Sequence, residues 1–176
     1  MSKTPIVKTS IVYIGLGSNL DRPVSQLQKA ITALGQLPGT RVLADSGYYT
    51  SKPMGPEDQP DYYNAVVQIE TSLLPHALLE QCQAIEHQQG RVKTRHWGER
   101  CIDVDILLYA DQQISEPDLT IPHPGISQRD FVYKPLLKLH AEIEIPGEGL
   151  LAVLVEKKKG ENPETGYDCS FAGTLE

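Results

Sequence analysis

The chain has 176 residues, of which 40% are hydrophobic and 22% charged, and its formal net charge is -7 at pH 7. This length and composition are typical of one globular domain with a sizeable core, and they argue against two full domains. The negative charge argues against a protein that grips nucleic acid, because such proteins need a basic surface to displace counterions from phosphates.

The cysteines and the apolar runs indicate the cellular compartment of the protein. Three cysteines, an odd number without CxxC spacing, suggest neither a disulfide framework nor a zinc site. The first ten residues lack the apolar region of a signal peptide, and no apolar run approaches the length of a membrane span. We therefore expect a cytoplasmic protein with no membrane or nucleic-acid partner, and no obligate protein partner is evident.

The chain begins with a predicted strand and helix. Residues 11–15 (IVYIG) are short and β-branched and run into the Gly-rich 15–20 (GLGSNL), which we interpret as a strand followed by a structural turn. Apolar residues then recur at three- and four-residue steps over 24–34. Pro38 and Gly39 end this amphipathic helix.

Two more strands and a long loop follow. A strand is predicted at 41–50, and 51–61, with three prolines and a glycine, is predicted to be a loop of the length that often binds ligands. Residues 62–70 alternate between apolar and polar positions, as expected for a strand. This alternation places Tyr62 and Asn64 on the same face.

The second helix and the last core strand complete the pattern. The helix starts at Pro75 and ends near Gly90. In the strand 102–109 the alternation places Asp103 and Asp105 together on one face. The opposite face is predicted to point into the core through Ile102, Val104, Ile106 and Leu108.

The order strand, helix, strand, strand, helix, strand predicts an α+β fold with a ferredoxin-like βαββαβ core, in which an antiparallel sheet carries both helices on one face. Extra C-terminal helices are expected to cover the other face, and 126–140 is partly helical in pattern although Pro135 interrupts it. We expect one domain over 1–176 with its core at about 11–155. The polar stretch 156–176 is predicted to be a loosely ordered tail.

Asp103 and Asp105 form the motif with the clearest chemistry. Residues i and i+2 of a strand lie about 6.6 Å apart and point the same way, so the two carboxylates can converge on one cation. Hard oxygen ligands of this kind suit Mg²⁺ shared with substrate phosphates, and one such pair can support a two-metal site. For an arbitrary DxD pair, the solvated face of an edge strand is the commoner interpretation.

The residues before this strand favour phosphate chemistry. In a chain that is acidic overall, the preceding loop concentrates positively charged side chains, namely Arg91, Lys93, Arg95, His96 and Arg100. A basic loop that leads into an acidic pair is typical of phosphoryl transfer sites, where cations neutralise developing charge. There is no GxxxxGK[ST] sequence, so a P-loop is excluded.

Single residues near these motifs have two possible roles. His123 in 120–125 (TIPHPG) is either a lone loop histidine, the commoner case, or a phosphate contact. Cys101 is more simply a small core residue than a nucleophile, because its spacing implies no histidine partner.

Taken together, these segments resemble the 6-hydroxymethyl-7,8-dihydropterin pyrophosphokinase family from about Val12 to Ile145. The resemblance rests on GLGSNL (15–20), PMGPEDQPDYYNAV (53–66), AIEHQQGRV (84–92), WGERCIDVDILL (97–108) and TIPHPGISQRDF (120–131). It implies transfer of the pyrophosphoryl group of ATP to the hydroxymethyl oxygen of the dihydropterin, with release of AMP. It also implies two Mg²⁺ ions held by Asp103 and Asp105.

The resemblance further implies roles for individual residues. Catalytic roles fall on Arg91, Arg100, Asp103 and Asp105. Nucleotide-binding roles fall on Gln83, Glu86, Lys93, Trp97, Ile106, Thr120, His123 and Arg129. Pterin-binding roles fall on Ser51, Met54, Tyr62, Asn64 and Phe131, where two aromatic rings sandwich the heterocycle and an amide pairs with its polar edge.

The chain departs from the family at a few positions. Lys93 stands where relatives commonly have Arg, which keeps the charge but loses the bidentate fork. Asp118 stands where some relatives place a basic ATP contact, and Pro124 where an aromatic residue is often found, so neither is given a nucleotide role.

Two alternative functions stay open at this point. One is another magnesium-dependent phosphoryl transferase on the same scaffold, which differs in that pterin does not stimulate ATP consumption. The other is a non-catalytic ferredoxin-like binding domain, which ATP and Mg²⁺ do not stabilise against heat.

Overall fold

The computed structural model describes residues 7–90, 101–163 and 166–175. Within these ranges the chain forms ten strands and four helices. In chain order they are β1 (Ser10–Ser18), α1 (Pro23–Gly35), β2 (Thr40–Asp45), β3 (Tyr48–Ser51), β4 (Tyr62–Thr71), α2 (Pro75–Gln88), β5 (Asp103–Tyr109), β6 (Ile114–Glu116), β7 (Leu119–Ile121), α3 (Asp130–Leu139), β8 (Glu144–Ile145), β9 (Gly149–Leu150), α4 (Leu151–Glu161) and β10 (Ser170–Gly173). None of the described helices is long and apolar enough to cross a membrane.

The main sheet is antiparallel and has six strands. Its order is β10-β3-β4-β1-β5, and β2 also pairs with β4. β2 and β3 lie end to end along β4, because the predicted strand at 41–50 is broken where Gly47 adopts a φ of 72°. This break lets β2 pair with the end of β4 and β3 with its beginning.

Helices cover both faces of this sheet. On one face α1 and α2 pack into a first core, which includes Leu27, Leu34 and Leu78 together with Val67 and Ile106 of the strands. On the other face α3 and α4 pack into a second core. It includes Val132, Leu136, Leu151 and Val155 with Val66, Leu107 and Leu108. The predicted antiparallel sheet with helices packed on it is confirmed.

Strand β1 extends beyond its predicted end. The segment predicted to be a turn, residues 15–20, continues as strand through Ser18 because β1 is a central strand paired with both β4 and β5. Hydrogen bonds on both sides outweigh the weak strand preference of Gly15 and Gly17.

The prediction that Leu108 faces the same core as Ile106 was wrong. The register between β1 and β5 shifts, so that Tyr13 pairs with Leu108 while Ile14 pairs with Ile106. The extra residue, Leu107, reverses the alternation. Leu108 therefore lies in the second core.

The described residues beyond 155, at 156–163 and 166–175, include regular secondary structure. Helix α4 continues to Glu161, and β10 pairs with the edge strand β3. Cys169 is only 4% exposed. The order comes from contacts with α3 and β3, which composition does not report.

Candidate active site

Two glycines of the central strand form the floor of a cavity on the α3 side of the sheet. In the strand register, Gly17 lies between Asn64 of β4 and Asp103 of β5, and Gly15 lies opposite Asp105. A Cβ added at Gly17 would lie 3.4 Å from Asn64 Oδ1, and one at Gly15 would lie 3.2 Å from Leu107 Cδ2. Side chains here would fill the space between the polar groups of β4 and β5.

The cavity combines polar groups from four parts of the chain: the sheet, the loop after β3, the loop before α3 and the start of α3. Its lining residues are Gly15, Leu16, Gly17, Ser51, Lys52, Met54, Tyr62, Asn64, Ala65, Val66, Asp103, Asp105, Leu107, His123, Arg129, Phe131 and Val132. Nine residues predicted from the sequence are among them. Aromatic and amide groups thus share one cavity with carboxylates, a histidine and an arginine.

Strand β5 presents Asp103 and Asp105 to this cavity. Between them, Val104 is buried in the first core, and its N–H donates to Glu86 Oε2 of α2 at 3.2 Å. The packing of Val104 fixes the strand on the face opposite the acids, and the hydrogen bond ties the strand backbone to α2. Burial, followed by the charges of Glu86 and Asp105, raises the pKa of the nearby Cys82 thiol to about 12, so this cysteine is not a nucleophile.

Asn64 has a fixed orientation at the other side of the floor. It is 4% exposed, and its Nδ2 donates to Ser51 Oγ at 2.8 Å. The side-chain oxygen of Asn64 faces the Gly17 backbone. Tyr62 and Phe131 line the same cavity from β4 and α3, so an amide and two rings surround one end of it.

His123 is held as a neutral hydrogen-bond donor. Its backbone N–H donates to the Leu107 carbonyl at 2.9 Å, and its ring Nδ1 accepts from the Gly125 N–H at 3.1 Å. Burial, and next the positive charge of Arg129, lower the pKa of His123 from 6.5 to about 4. The neutral ring therefore carries its proton on Nε2 at pH 7.

Gly125 also makes room for Arg129. A Cβ at position 125 would lie 2.6 Å from Arg129 Nε, so the arginine side chain passes directly over this glycine. The guanidinium thus lines the cavity near His123.

Four predicted nucleotide-binding residues do not line the cavity. Gln83 on α2 and Thr120 on β7 are exposed elsewhere, and Ile106 is buried in the first core. Glu86 is 6% exposed and bonds to β5 as described above. Arg91, Lys93, Trp97 and Arg100 lie outside the described residues.

A second group of ionisable side chains lies away from the cavity. His76 Nε2 is 2.8 Å from Glu116 Oε2 and 3.5 Å from Asp118 Oδ1, and all three side chains are exposed. Asp118 is thus paired with the start of α2 and does not line the cavity.

Sequence patterns missed residues that line the cavity or pack against its lining. Tyr167 packs edge-on against Phe131, with ring centroids 5.3 Å apart and planes at 72°. No local pattern marks Tyr167, because it belongs to the polar stretch predicted to be a tail. Gly15 and Gly17 were detectable, since their spacing of two is that of one strand face.

Comparisons with known proteins agree on one family. The family model described as 7,8-dihydro-6-hydroxymethylpterin-pyrophosphokinase (HPPK) matches residues 13–141. The chain is 48% identical over 145 residues to the 2-amino-4-hydroxy-6-hydroxymethyldihydropteridine pyrophosphokinase of Haemophilus influenzae, covering 82% of this chain and 91% of that protein. It is 45% identical over 135 residues to the protein of that name from Pseudomonas aeruginosa, covering 77% and 83%.

Solved structures agree on the fold. The wild-type HPPK-DHPS of Plasmodium falciparum, solved with STZ-DHP, superposes with a TM-score of 0.69 at 15% identity over 89% of this chain. This chain spans 45% of that solved chain. At such low identity the likeness extends to the fold alone.

Proposed function

The chain belongs to the 7,8-dihydro-6-hydroxymethylpterin-pyrophosphokinase family, and from that premise we propose how its cavity carries out the reaction for which the family is named. The chain is an ATP-dependent pyrophosphokinase of folate biosynthesis. It transfers the pyrophosphoryl group of ATP to 6-hydroxymethyl-7,8-dihydropterin and so forms the pterin diphosphate and AMP.

The main structural support for this function is that one cavity contains groups suited to both substrates. Tyr62, Asn64 and Phe131 surround one end, and Asp103 with Asp105 lie across the glycine floor. A pterin at the first end and a polyphosphate at the second would meet above Gly17. Holding both reactants in line is the main contribution that a protein makes to phosphoryl transfer.

At the pterin end, we propose stacking and amide recognition. The heterocycle lies between the rings of Tyr62 and Phe131, and Asn64 pairs with its polar edge. The bond from Asn64 Nδ2 to Ser51 Oγ supports this role, because it fixes which amide atom faces the cavity. Ser51 and Met54 complete this end of the site.

At the phosphate end, the donor set fits magnesium. Asp103 and Asp105 are hard oxygen ligands on one face of a strand that is buried on its other face. We propose that they hold two Mg²⁺ ions. When bound, Mg²⁺ would offset the negative charge on the ATP phosphates and keep the polyphosphate in one orientation.

The chain's own groups orient the transferring phosphates. His123 donates from Nε2 while remaining neutral, so it contacts a phosphate oxygen without requiring a proton from solvent. Arg129 supplies a charged donor beside it. From the family resemblance we further propose phosphate contacts by Arg91 and Arg100 and nucleotide contacts by Lys93 and Trp97. We also propose nucleotide contacts by Gln83, Glu86, Ile106 and Thr120, which lie outside the cavity lining.

Three structural proposals accompany this function. The βαββαβ part of the chain is a ferredoxin-like core, which the strand order β3-β4-β1-β5 and its antiparallel pairings support. Residues 1–176 act as a single pyrophosphokinase domain. The protein works in the cytoplasm, which the free thiols of Cys82, Cys101 and Cys169 support.

The test is AMP formation from ATP that depends on both pterin and Mg²⁺. Asp103→Ala and Asp105→Ala should each lower the turnover number at least about 100-fold, because each removes a charge that holds the phosphates through the metal. The matched control is Asp111→Ala, which removes an exposed carboxylate just beyond β5 and should leave the rate unchanged.

Two outcomes would contradict the proposal. If the wild-type protein consumes ATP equally without pterin, the acceptor is wrong. If either cavity aspartate variant keeps a near-full rate, the metal assignment is wrong.

A further inference from the structure

The C-terminal segment, residues 166–173, contacts both walls of the pterin end of the cavity. It lies beyond the residues that the family model matches, which end at 141. We propose that this segment is part of the pterin site and that Tyr167 is a positioning residue for Phe131. The inference rests on the proposed function, because it assigns Tyr167 to the substrate end that contains Phe131.

The first wall is the start of α3, and Asp130 holds the segment against it. Asp130 is 5% exposed, and its Oδ2 accepts from the N–H of Tyr167 at 3.0 Å and of Cys169 at 3.3 Å. One turn later, Lys134 Nζ donates to the Cys169 carbonyl at 2.8 Å. Helix α3 therefore fixes the backbone on both sides of residue 168.

The second wall is the loop after β3. The Lys52 N–H donates to the Tyr167 carbonyl at 2.7 Å, and Lys52 Nζ lies 2.7 Å from Asp168 Oδ2. Lys52 follows Ser51 in the chain, and both line the cavity. Tyr167 thus links the two walls through its backbone.

The side chain of Tyr167 contacts the first of these walls. Its ring meets Phe131 edge to face at a centroid distance of 5.3 Å. Phe131 is the first residue after Asp130, and its ring lines the cavity. An edge-on neighbour favours one orientation of a ring, and a preoriented ring loses less entropy when it stacks on a ligand.

The segment contains a second aromatic contact that serves as a control. Phe171 meets Tyr49 at a centroid distance of 5.4 Å and 74°, which is nearly the geometry of the pair formed by Tyr167 and Phe131. Tyr49 does not line the cavity. Removing the Phe171 ring therefore weakens the same segment without touching the pterin end.

The experiment compares Tyr167→Ala, Tyr167→Leu, Tyr167→Phe and Phe171→Ala in the full chain. For each variant, KM for pterin, KM for ATP and kcat are measured from AMP formation, and thermal unfolding is recorded. Tyr167→Ala and Tyr167→Leu should raise KM for pterin about 5- to 10-fold with KM for ATP within about twofold. Tyr167→Phe keeps the ring and should restore the wild-type value, and Phe171→Ala should leave both KM values unchanged.

Any other result would contradict either the proposed function or the role of Tyr167. If wild-type protein forms no pterin-dependent AMP, the proposed function fails, and this inference fails with it. If the wild type is active but Tyr167→Leu raises KM for pterin less than twofold, or raises both KM values equally, only the inference about Tyr167 fails. The same holds if Phe171→Ala raises KM for pterin as much as Tyr167→Ala does.

Discussion

At the scale of single residues, His123 connects local geometry to a charge state. Its Nδ1 is occupied by the Gly125 N–H, and burial together with Arg129 lowers its pKa to about 4. In the unfolded chain a histidine has a pKa of about 6.5. The folded protein therefore binds fewer protons than the unfolded chain between these two values. The contribution of His123 to the free energy of unfolding is therefore fully present above about pH 6.5. It is lost as the pH is lowered toward 4.

This difference predicts a pH dependence that one substitution removes. Between pH 6.5 and 5, the free energy of unfolding should fall further for the wild type than for His123→Gln. Because His123 is partly exposed, the difference between the two proteins should be at most about 2 kcal/mol. Urea unfolding at several pH values measures the difference. His140→Gln, which removes an exposed histidine at the end of α3, is the control. Parallel profiles for the wild type and His123→Gln would show that the folded pKa is not lowered.

At the scale of elements, alternation predicted the faces of the site strands. The period of two put Tyr62 with Asn64 and Asp103 with Asp105, and all four line one cavity. Alternation does not report which residues pair across strands, so it missed that Gly17 lies between Asn64 and Asp103. Strand ends and register depend on partners that are far away in the sequence.

The C-terminal segment shows the same limit more strongly. Asp130 accepts hydrogen bonds from residues 37 and 39 positions later in the chain. A polar stretch becomes ordered when a buried group elsewhere satisfies its backbone, and composition does not contain that information. Composition therefore did not predict the contacts that residues 167 and 169 make with Asp130.

The chemical reactivity of Cys169 measures how tightly the C-terminal segment, residues 166–173, packs against α3. The thiol is buried, and burial, followed by the charge of Asp130, raises its pKa to about 12. With Cys101→Ser as background, a thiol reagent at pH 8 should react slowly. Asp130→Ala leaves two backbone donors unsatisfied at a cost of about 1–3 kcal/mol, so Cys169 should react roughly 5- to 150-fold faster.

A further variant tests whether Cys169 is the cysteine that reacts faster. Adding Cys169→Ser to Asp130→Ala should abolish the fast reaction, because the remaining thiol, Cys82, is fully buried on the core-facing side of α2. A labelling rate that Asp130→Ala does not change would show that its carboxylate does not hold the segment.

At the scale of the whole molecule, two cores share one sheet. Val12 and Val67 belong to the first core, whereas their neighbours Tyr13 and Val66 belong to the second. Because adjacent residues of the same strands serve opposite cores, global unfolding should disrupt both cores together. We expect one cooperative unfolding transition for the chain. The cavity, however, receives side chains from a helix of the second core only through α3, which supplies Phe131 and Val132 to its lining.

This asymmetry predicts that equal losses of stability have unequal effects on substrate binding. Leu34 of α1 and Leu136 of α3 are both 0% exposed, one in each core. Leu34→Ala and Leu136→Ala should each destabilise the fold by about 2–5 kcal/mol. At a temperature where both variants remain folded, only Leu136→Ala should raise KM for pterin, by about threefold or more, because it loosens the helix that carries Phe131. Equal KM values for the two variants at matched stability would mean that the cavity depends on the sheet alone.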